Sequence, residues 1–362
     1  MIFNLITPIW GKYNIELFFK VTFKSIFFNG NINELKKYNT TITFCTFKKD
    51  IERIHKHLKN FNITNLIVKF VELDNLSKRS NVKRFYHYSV LKGILSEKRN
   101  HTKVNFIFQT SDDVHSEKNF ENIIKILKKK KNVRCILENK IIVDENKFLK
   151  KFNLMNKYGI SKNEMVKTGI QSMSIFTKSS TYGSKNFNYN AHSILWKVKK
   201  NVYICRGYLL HTFLIRPSKQ ITAMKSFHDY FLVPEYIKNF NQIYIPPRSS
   251  IFFRVGIENK KIKKLPFSYN ANKFARSLKN WTTLHHRKYV FFPTVFEIKK
   301  KSTNINSVLK NSLNEVKKIN FFLKQYKPKS HKNHPYWNIN VKLNIFRKSE
   351  RIIKKLLFSI FY

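Results

Sequence analysis

The chain has 362 residues, room for one large domain or two at roughly 150 residues per domain. With 42% hydrophobic and 15% aromatic residues it can bury a real core, which excludes a disordered basic tail. Lys and Arg number 70 against 21 Asp and Glu, a net charge of +49, so the surface reflects either a polyanionic partner or a drift toward Lys, Asn, Ile and Phe. Lys far outnumbers Arg, and Asn and Ile occur throughout, even at loop positions with no evident task, which favours drift, with attraction to an anionic membrane surface as a consequence.

Residues 2–6 read as an apolar strand that stops at Thr7-Pro8, because proline holds the residue before it extended. Residues 13–28 read as a helix with Ile15, Phe18, Phe19, Thr22 and Ile26 along one side, ended by Asn29-Gly30-Asn31. Strands over 41–46, 66–71, 104–110 and 133–137 then alternate with helices over 49–58, 82–95 and 116–127. This βαβαβαβαβ order predicts an α/β fold with a mostly parallel sheet and helices on both faces.

The pattern changes after residue 150. Residues 177–190 are rich in Ser, Thr, Asn and Gly and read either as a mobile loop over a site or as a plain connection. Residues 202–215 form a strand-like run, and 242–245 and 250–255 read as two more strands around Pro246-Pro247. Residues 304–323 make an amphipathic helix through Ile305, Val308, Leu309, Leu313, Val316, Ile319 and Leu323. After a polar linker over 327–336, residues 345–362 mix apolar and basic positions. They suit a helix lying on an anionic membrane or a terminal helix packed on its own domain. No apolar run is long enough to predict a spanning helix. The first apolar stretch has no basic lead or small-residue cleavage site, so a signal peptide is not expected. Cys45, Cys135 and Cys205 lie far apart with no C-x-x-C pair, which fits a reducing cytosol better than zinc or disulfides.

The chemistry concentrates at strand ends. Ser111-Asp112-Asp113 follows the apolar strand over 104–110, the edge where open α/β sheets bind ligands. Adjacent carboxylates there can hold Mg²⁺ or Mn²⁺ while a substrate's phosphates complete the shell. The plainer reading is that Asp113 caps the next helix. At the first strand end, Thr7-Pro8-Ile9-Trp10-Gly11 offers an aromatic face for a base and a glycine that lets backbone approach. A simple turn with a core tryptophan is the alternative. Thr46, at the second strand end, faces the same crevice. The phosphate loop, dinucleotide fingerprint, zinc-protease and serine-elbow motifs are all missing. The 8 glycines leave little room for a glycine-rich phosphate loop. The lysine run over 128–131 reads as a solvated helix end.

Residues 6–11, the helix end Asn29-Gly30-Asn31-Ile32 and Gln109-Thr110-Ser111-Asp112-Asp113 together resemble glycosyltransferases of the GT-A fold. The resemblance covers residues 1–140 well and 190–255 loosely, and Ser111 stands where the family's acidic motif has its first acid. It implies a nucleotide-sugar donor held by Thr7, Pro8, Trp10, Gly11, Thr46 and Asp112. It also implies a divalent cation, Mn²⁺ or Mg²⁺, on Asp113 and Asp112. A late histidine often completes that shell in the family, which singles out His211. Asp229 is the candidate carboxylate for deprotonating an acceptor hydroxyl. His211 as a half-buried strand residue and Asp229 as a turn or cap residue are the alternatives.

The expected organisation is a nucleotide-sugar-binding half over 1–140, an acceptor-side half over 141–300 and a C-terminal helical extension over 301–362. The expected partners are the donor, a glycan or lipid-linked acceptor and an anionic membrane surface. The expected place is the cytoplasm, free or peripheral on the inner face of the membrane. A basic RNA-binding or ribosome-associated protein is the competing reading. Sparse Arg and the lack of an RNP-like aromatic strand speak against it, so no specific nucleic acid is expected.

Overall fold

The computed structural model describes residues 1–74, 82–155, 160–222, 232–258, 268–279, 281–298 and 305–326; Asp229 and the 345–362 segment lie outside them. In chain order its strands are β1 (Ile2–Pro8), β2 (Asn39–Thr46), β3 (Ile67–Glu72), β4 (Val104–Phe108), β5 (Asp113–His115), β6 (Cys135–Glu138) and β7 (Ile141–Asp144). They continue with β8 (Ser193–Lys199), β9 (Val202–Gly207), β10 (His211–Ile215), β11 (Ile243–Tyr244), β12 (Arg254–Glu258) and β13 (Thr294–Glu297).

The main sheet has 7 strands in the order β11-β6-β10-β4-β1-β2-β3. β3, β2, β1 and β4 are parallel neighbours. β10 inserts antiparallel between β4 and β6, and β11 pairs parallel with β6. This is the expected α/β architecture, a mostly parallel sheet covered by helices. The strand predicted at 133–137 does form, but β10 separates it from β4, which local pattern could not reveal.

Side-chain alternation along the strands builds two cores. On one face Phe3, Leu5, Ile42, Phe44 and Ile107 meet Ile15, Phe18, Phe19, Phe23, Phe120 and Ile123. On the other, Ile6, Cys45, Phe106 and Phe108 meet Phe85, Val90 and Ile94 of helix Val82–Leu95. Each such fully buried large side chain is worth about 1.5–3 kcal/mol. The predicted helix over 13–28 runs from Lys12 as an α-helix, becomes π-helical over Phe18–Phe23, and ends with Lys24–Ile26.

Two smaller sheets flank the large one, β5-β12-β7 and β13-β9-β8. The strand-like run over 202–215 is therefore two strands in different sheets, parted by the buried Tyr208, Leu209 and Leu210. The strand predicted over 250–255 begins only at Arg254. Residues 177–190 are a packed connection: Thr177 Oγ1 donates to the Ile142 carbonyl at 2.7 Å, and Tyr182 N to Leu195 O at 2.8 Å. The amphipathic prediction becomes helix Ile305–Lys324, whose Val316, Ile319 and Leu323 pack with Phe274, Ala275 and Leu278 of helix Ala271–Leu278. Among the described residues no helix is long and apolar enough to cross a membrane.

Candidate functional site

β1 and β4 end side by side, and the turns that leave them open a cleft of about 280 Å³. Its walls include Pro8, Trp10, Tyr13, Tyr86, Asp112 and Glu145. The turn after β1 passes through Gly11 at φ 79°, a left-handed backbone that favours glycine. The Gly11 N–H donates to Asp50 Oδ2 at 2.9 Å, and the Asn14 amide to the Trp10 carbonyl at 3.1 Å. Trp10 is wedged edge-on against Phe85, with centroids 4.9 Å apart. The loop after β4 is pinned from the π-helical stretch, where the Thr22 hydroxyl donates to Ser111 O at 2.9 Å. Such π segments often sit at functional sites. Across the cleft the Tyr13 hydroxyl donates to Glu145 Oε1 at 2.5 Å, linking the first helix to helix Glu145–Met155.

Asp112 is half-buried in this wall. Burial, and then the charge of Asp113, push its pKa up. Asp113 has a different fate. Its Oδ1 takes Lys140 Nζ at 2.7 Å and its Oδ2 takes an Arg254 guanidinium nitrogen at 2.6 Å. Arg254 also grips Glu138 Oε1 through Nε at 2.7 Å and through a second guanidinium nitrogen. The side chains of Lys140, Asp113, Arg254 and Glu138 are 6, 1, 2 and 2% exposed. Two cations and two anions thus form a neutral buried quartet. Burial alone would raise the Asp113 pKa, but Arg254 and Lys140 outweigh it and hold the carboxyl well below its usual range. Lys140 reaches Asp113 across Gly256, where an added Cβ would meet Ile142 Cδ1 at 3.0 Å, Lys140 Cε at 3.1 Å and Nζ at 3.3 Å.

The expected donor residues divide. Pro8, Trp10 and Asp112 line the cleft; Thr7, Gly11 and Thr46 do not. Thr7 and Thr46 are buried strand residues, and Gly11 shapes the turn. The expected metal set of Asp112, Asp113 and His211 does not gather as a donor set. Both Asp113 oxygens are taken by cations, and a divalent ion beside Lys140 and Arg254 would meet repulsion. His211 opens β10 opposite Glu138 and is half-buried. Burial, and then Lys140, push its pKa well below the usual value. Among the described residues no three His, Cys, Asp or Glu side chains form a metal-holding group. The cap expected of Asp113 is also not formed: Lys118 precedes helix Asn119–Lys129 without a side-chain cap. All three cysteines are buried and unpaired, and burial pushes the Cys45 and Cys205 thiols up to about 12.

Sequence reasoning missed Tyr13, Tyr86 and Glu145 in the cleft and Glu138, Lys140 and Arg254 behind it. A signal existed for one of them. Arg254 alone interrupts Phe252-Phe253 and Val255, whereas Glu138 and Lys140 sit in the polar break Glu138-Asn139-Lys140 between two apolar runs. A charge inside an apolar run is rarely buried without a partner.

No protein-family model and no curated protein matches the chain. Among solved structures it is similar to the crystal structure of S. aureus TarS, at 10% identity and TM-score 0.29, over 77% of this chain and 38% of that one. It is also similar to mouse Xyloside xylosyltransferase 1 in its apo form, at 9% identity and TM-score 0.28, over 43% of this chain and 60% of that one. The chain thus spans less than two thirds of either. The fold assignment rests on the strand order itself.

Proposed function

We propose that the cleft binds a nucleotide-sugar donor and that the protein transfers the sugar to a glycan or lipid-linked acceptor. One observation carries this reading. At the carboxyl edge of β1 and β4, Asp112 and Glu145 line a cleft that also presents the aromatic surfaces of Trp10, Tyr13 and Tyr86. Carboxylates accept hydrogen bonds from neighbouring hydroxyls of a ribose or sugar, and aromatic faces suit bases and pyranose rings. Tyr13, by donating to Glu145, fixes the orientation of that carboxylate.

In the transfer, an acceptor hydroxyl oxygen forms a bond to the anomeric carbon. The bond from that carbon to the donor phosphate oxygen breaks, and the nucleoside diphosphate leaves. The hydroxyl proton passes to a base, for which the sequence offers Asp229. The cleft residues contribute by holding the donor in line for that attack.

Calorimetric titration with UDP-, GDP- and CMP-sugars, each with Mn²⁺ and with chelator, tests this. One donor class is expected to bind, with Asp112→Asn weakening it at least tenfold. Absence of binding for every donor under both conditions would overturn the reading.

A further inference from the structure

Four of the large apolar side chains exposed on the described residues gather where two helices meet. Leu284 is 63% exposed, Phe291 41%, Phe292 47% and Phe321 64%. The first three belong to helix Leu284–Tyr289 and the turn that continues it. The Phe291 and Phe292 amides bond back to the Lys288 and Tyr289 carbonyls at 3.2 and 2.9 Å. Leu284, Lys288 and Phe291 are therefore spaced i, i+4 and i+7 on one exposed stripe. Helix Ile305–Lys324 carries a matching one: Lys317, Phe321 and Lys324 have the same spacing and are all exposed.

The two stripes are tied together. Arg287 donates to the Leu323 carbonyl at 2.8 Å and the Tyr326 carbonyl at 3.2 Å, and the Asn320 amide reaches the Arg287 carbonyl at 3.5 Å. From below, Arg206 donates to Val290 O at 3.1 Å and to Ser312 Oγ at 2.8 Å. The apolar side chains thus stand on a braced platform.

The charge around them has one sign. Residues 281–292 and 316–326 contain Arg287, Lys288, Lys317, Lys318 and Lys324 and no Asp or Glu. Exposed Phe and Leu ringed by lysines match a lipid interface, where rings enter the acyl boundary and ammonium groups meet anionic headgroups. Lys and Arg side chains near such a surface add electrostatic attraction to the apolar insertion. Folding the chain's own 345–362 segment onto this face would set Arg347, Lys348, Arg351, Lys354 and Lys355 against like charge. Charge complementarity therefore selects an anionic surface.

We propose that the Leu284–Phe291–Phe292–Phe321 face is a docking surface for an anionic lipid bilayer. The test uses the full chain and vesicles of phosphatidylcholine alone or with about 30% phosphatidylserine, which gives the surface a negative potential. Sedimentation is expected to show binding to the anionic vesicles only. The combined variant Leu284→Ser, Phe291→Ser, Phe292→Ser should weaken it at least tenfold. Because the three native cysteines are buried, Phe292→Cys can be labelled selectively with an environment-sensitive dye. Its emission should shift to the blue on anionic vesicles, a readout that does not depend on the triple variant's folding. Equal binding to neutral vesicles, no binding at all, or unchanged binding by the triple variant together with an unshifted dye would each overturn the proposal. The last outcome would assign membrane attraction to scattered lysines or to residues 345–362.

Discussion

Asp112 and Asp113 are neighbours in sequence and occupy two unlike regions. Asp112 lies in the wall of an open cleft beside Trp10, Tyr13 and Glu145. Asp113 begins β5, faces the interior and closes the quartet with Lys140, Arg254 and Glu138. Successive residues entering a strand point to opposite sides, so one motif supplies one group to the cleft and one to the core. A pair of carboxylates is therefore not a single functional unit merely because it is adjacent. The environment each meets decides whether it can recognise a ligand or must be neutralised.

The largest effect that would break this contrast is on stability. Asp113→Ala should destabilise the protein by about 3–5 kcal/mol, since it leaves Lys140 and Arg254 buried with a single carboxylate between them. Chemical denaturation would measure it. Asp112→Ala should change stability by only about 0.5 kcal/mol, as for a group outside a buried network. Reversed sizes would exchange the roles assigned here.

Acid titration of stability sharpens the same point. Asp113 is held well below its usual pKa. Glu97 is lowered to about 2: burial works against this, but the Arg99 hydrogen bonds prevail, helped by the Asn4 amide at 3.0 Å. A carboxyl whose folded pKa is depressed stabilises fully above its unfolded value, and that contribution is lost as pH falls toward the folded value. Stability should therefore fall between about pH 4.5 and 2. Glu97→Gln should flatten part of that slope and cost about 1.5–3 kcal/mol at neutral pH. An unchanged slope in that variant would remove Glu97 from the account.

A smaller effect is expected at the cleft mouth. Tyr13→Phe removes the hydrogen bond to Glu145 but keeps the ring. Donor binding should weaken by about 0.5–1.5 kcal/mol, with folding stability little altered. A loss of stability without loss of binding would make the contact a structural tie between helices. The least demanding measurement is thiol labelling: Cys45, Cys135 and Cys205 should stay unreactive until the protein unfolds, because all are buried.

Much of the architecture was legible from one dimension. Helical spacing in Ile15, Phe18, Phe19 and Ile26 marked the face that packs into the core, and the apolar runs over 2–6 and 104–110 marked strands that prove buried on both faces, because such patterns are local properties of the backbone. The strand-end rule likewise pointed to Pro8, Trp10 and Asp112, which the cleft brings together. Tertiary structure alone decided three things. It inserted β10 between β4 and β6, a pairing of residues some 70 to 110 apart that no local pattern encodes. It carried Glu145 to the cleft from a helix beyond the first five predicted strands. It also brought Lys140 and Arg254 onto Asp113, so that a carboxylate read as a ligand for metal became the counter-ion of two buried cations. The physical reason is common to all three: the free energy of a charge or a strand edge depends on what lies across space from it, and sequence states only what lies along the chain.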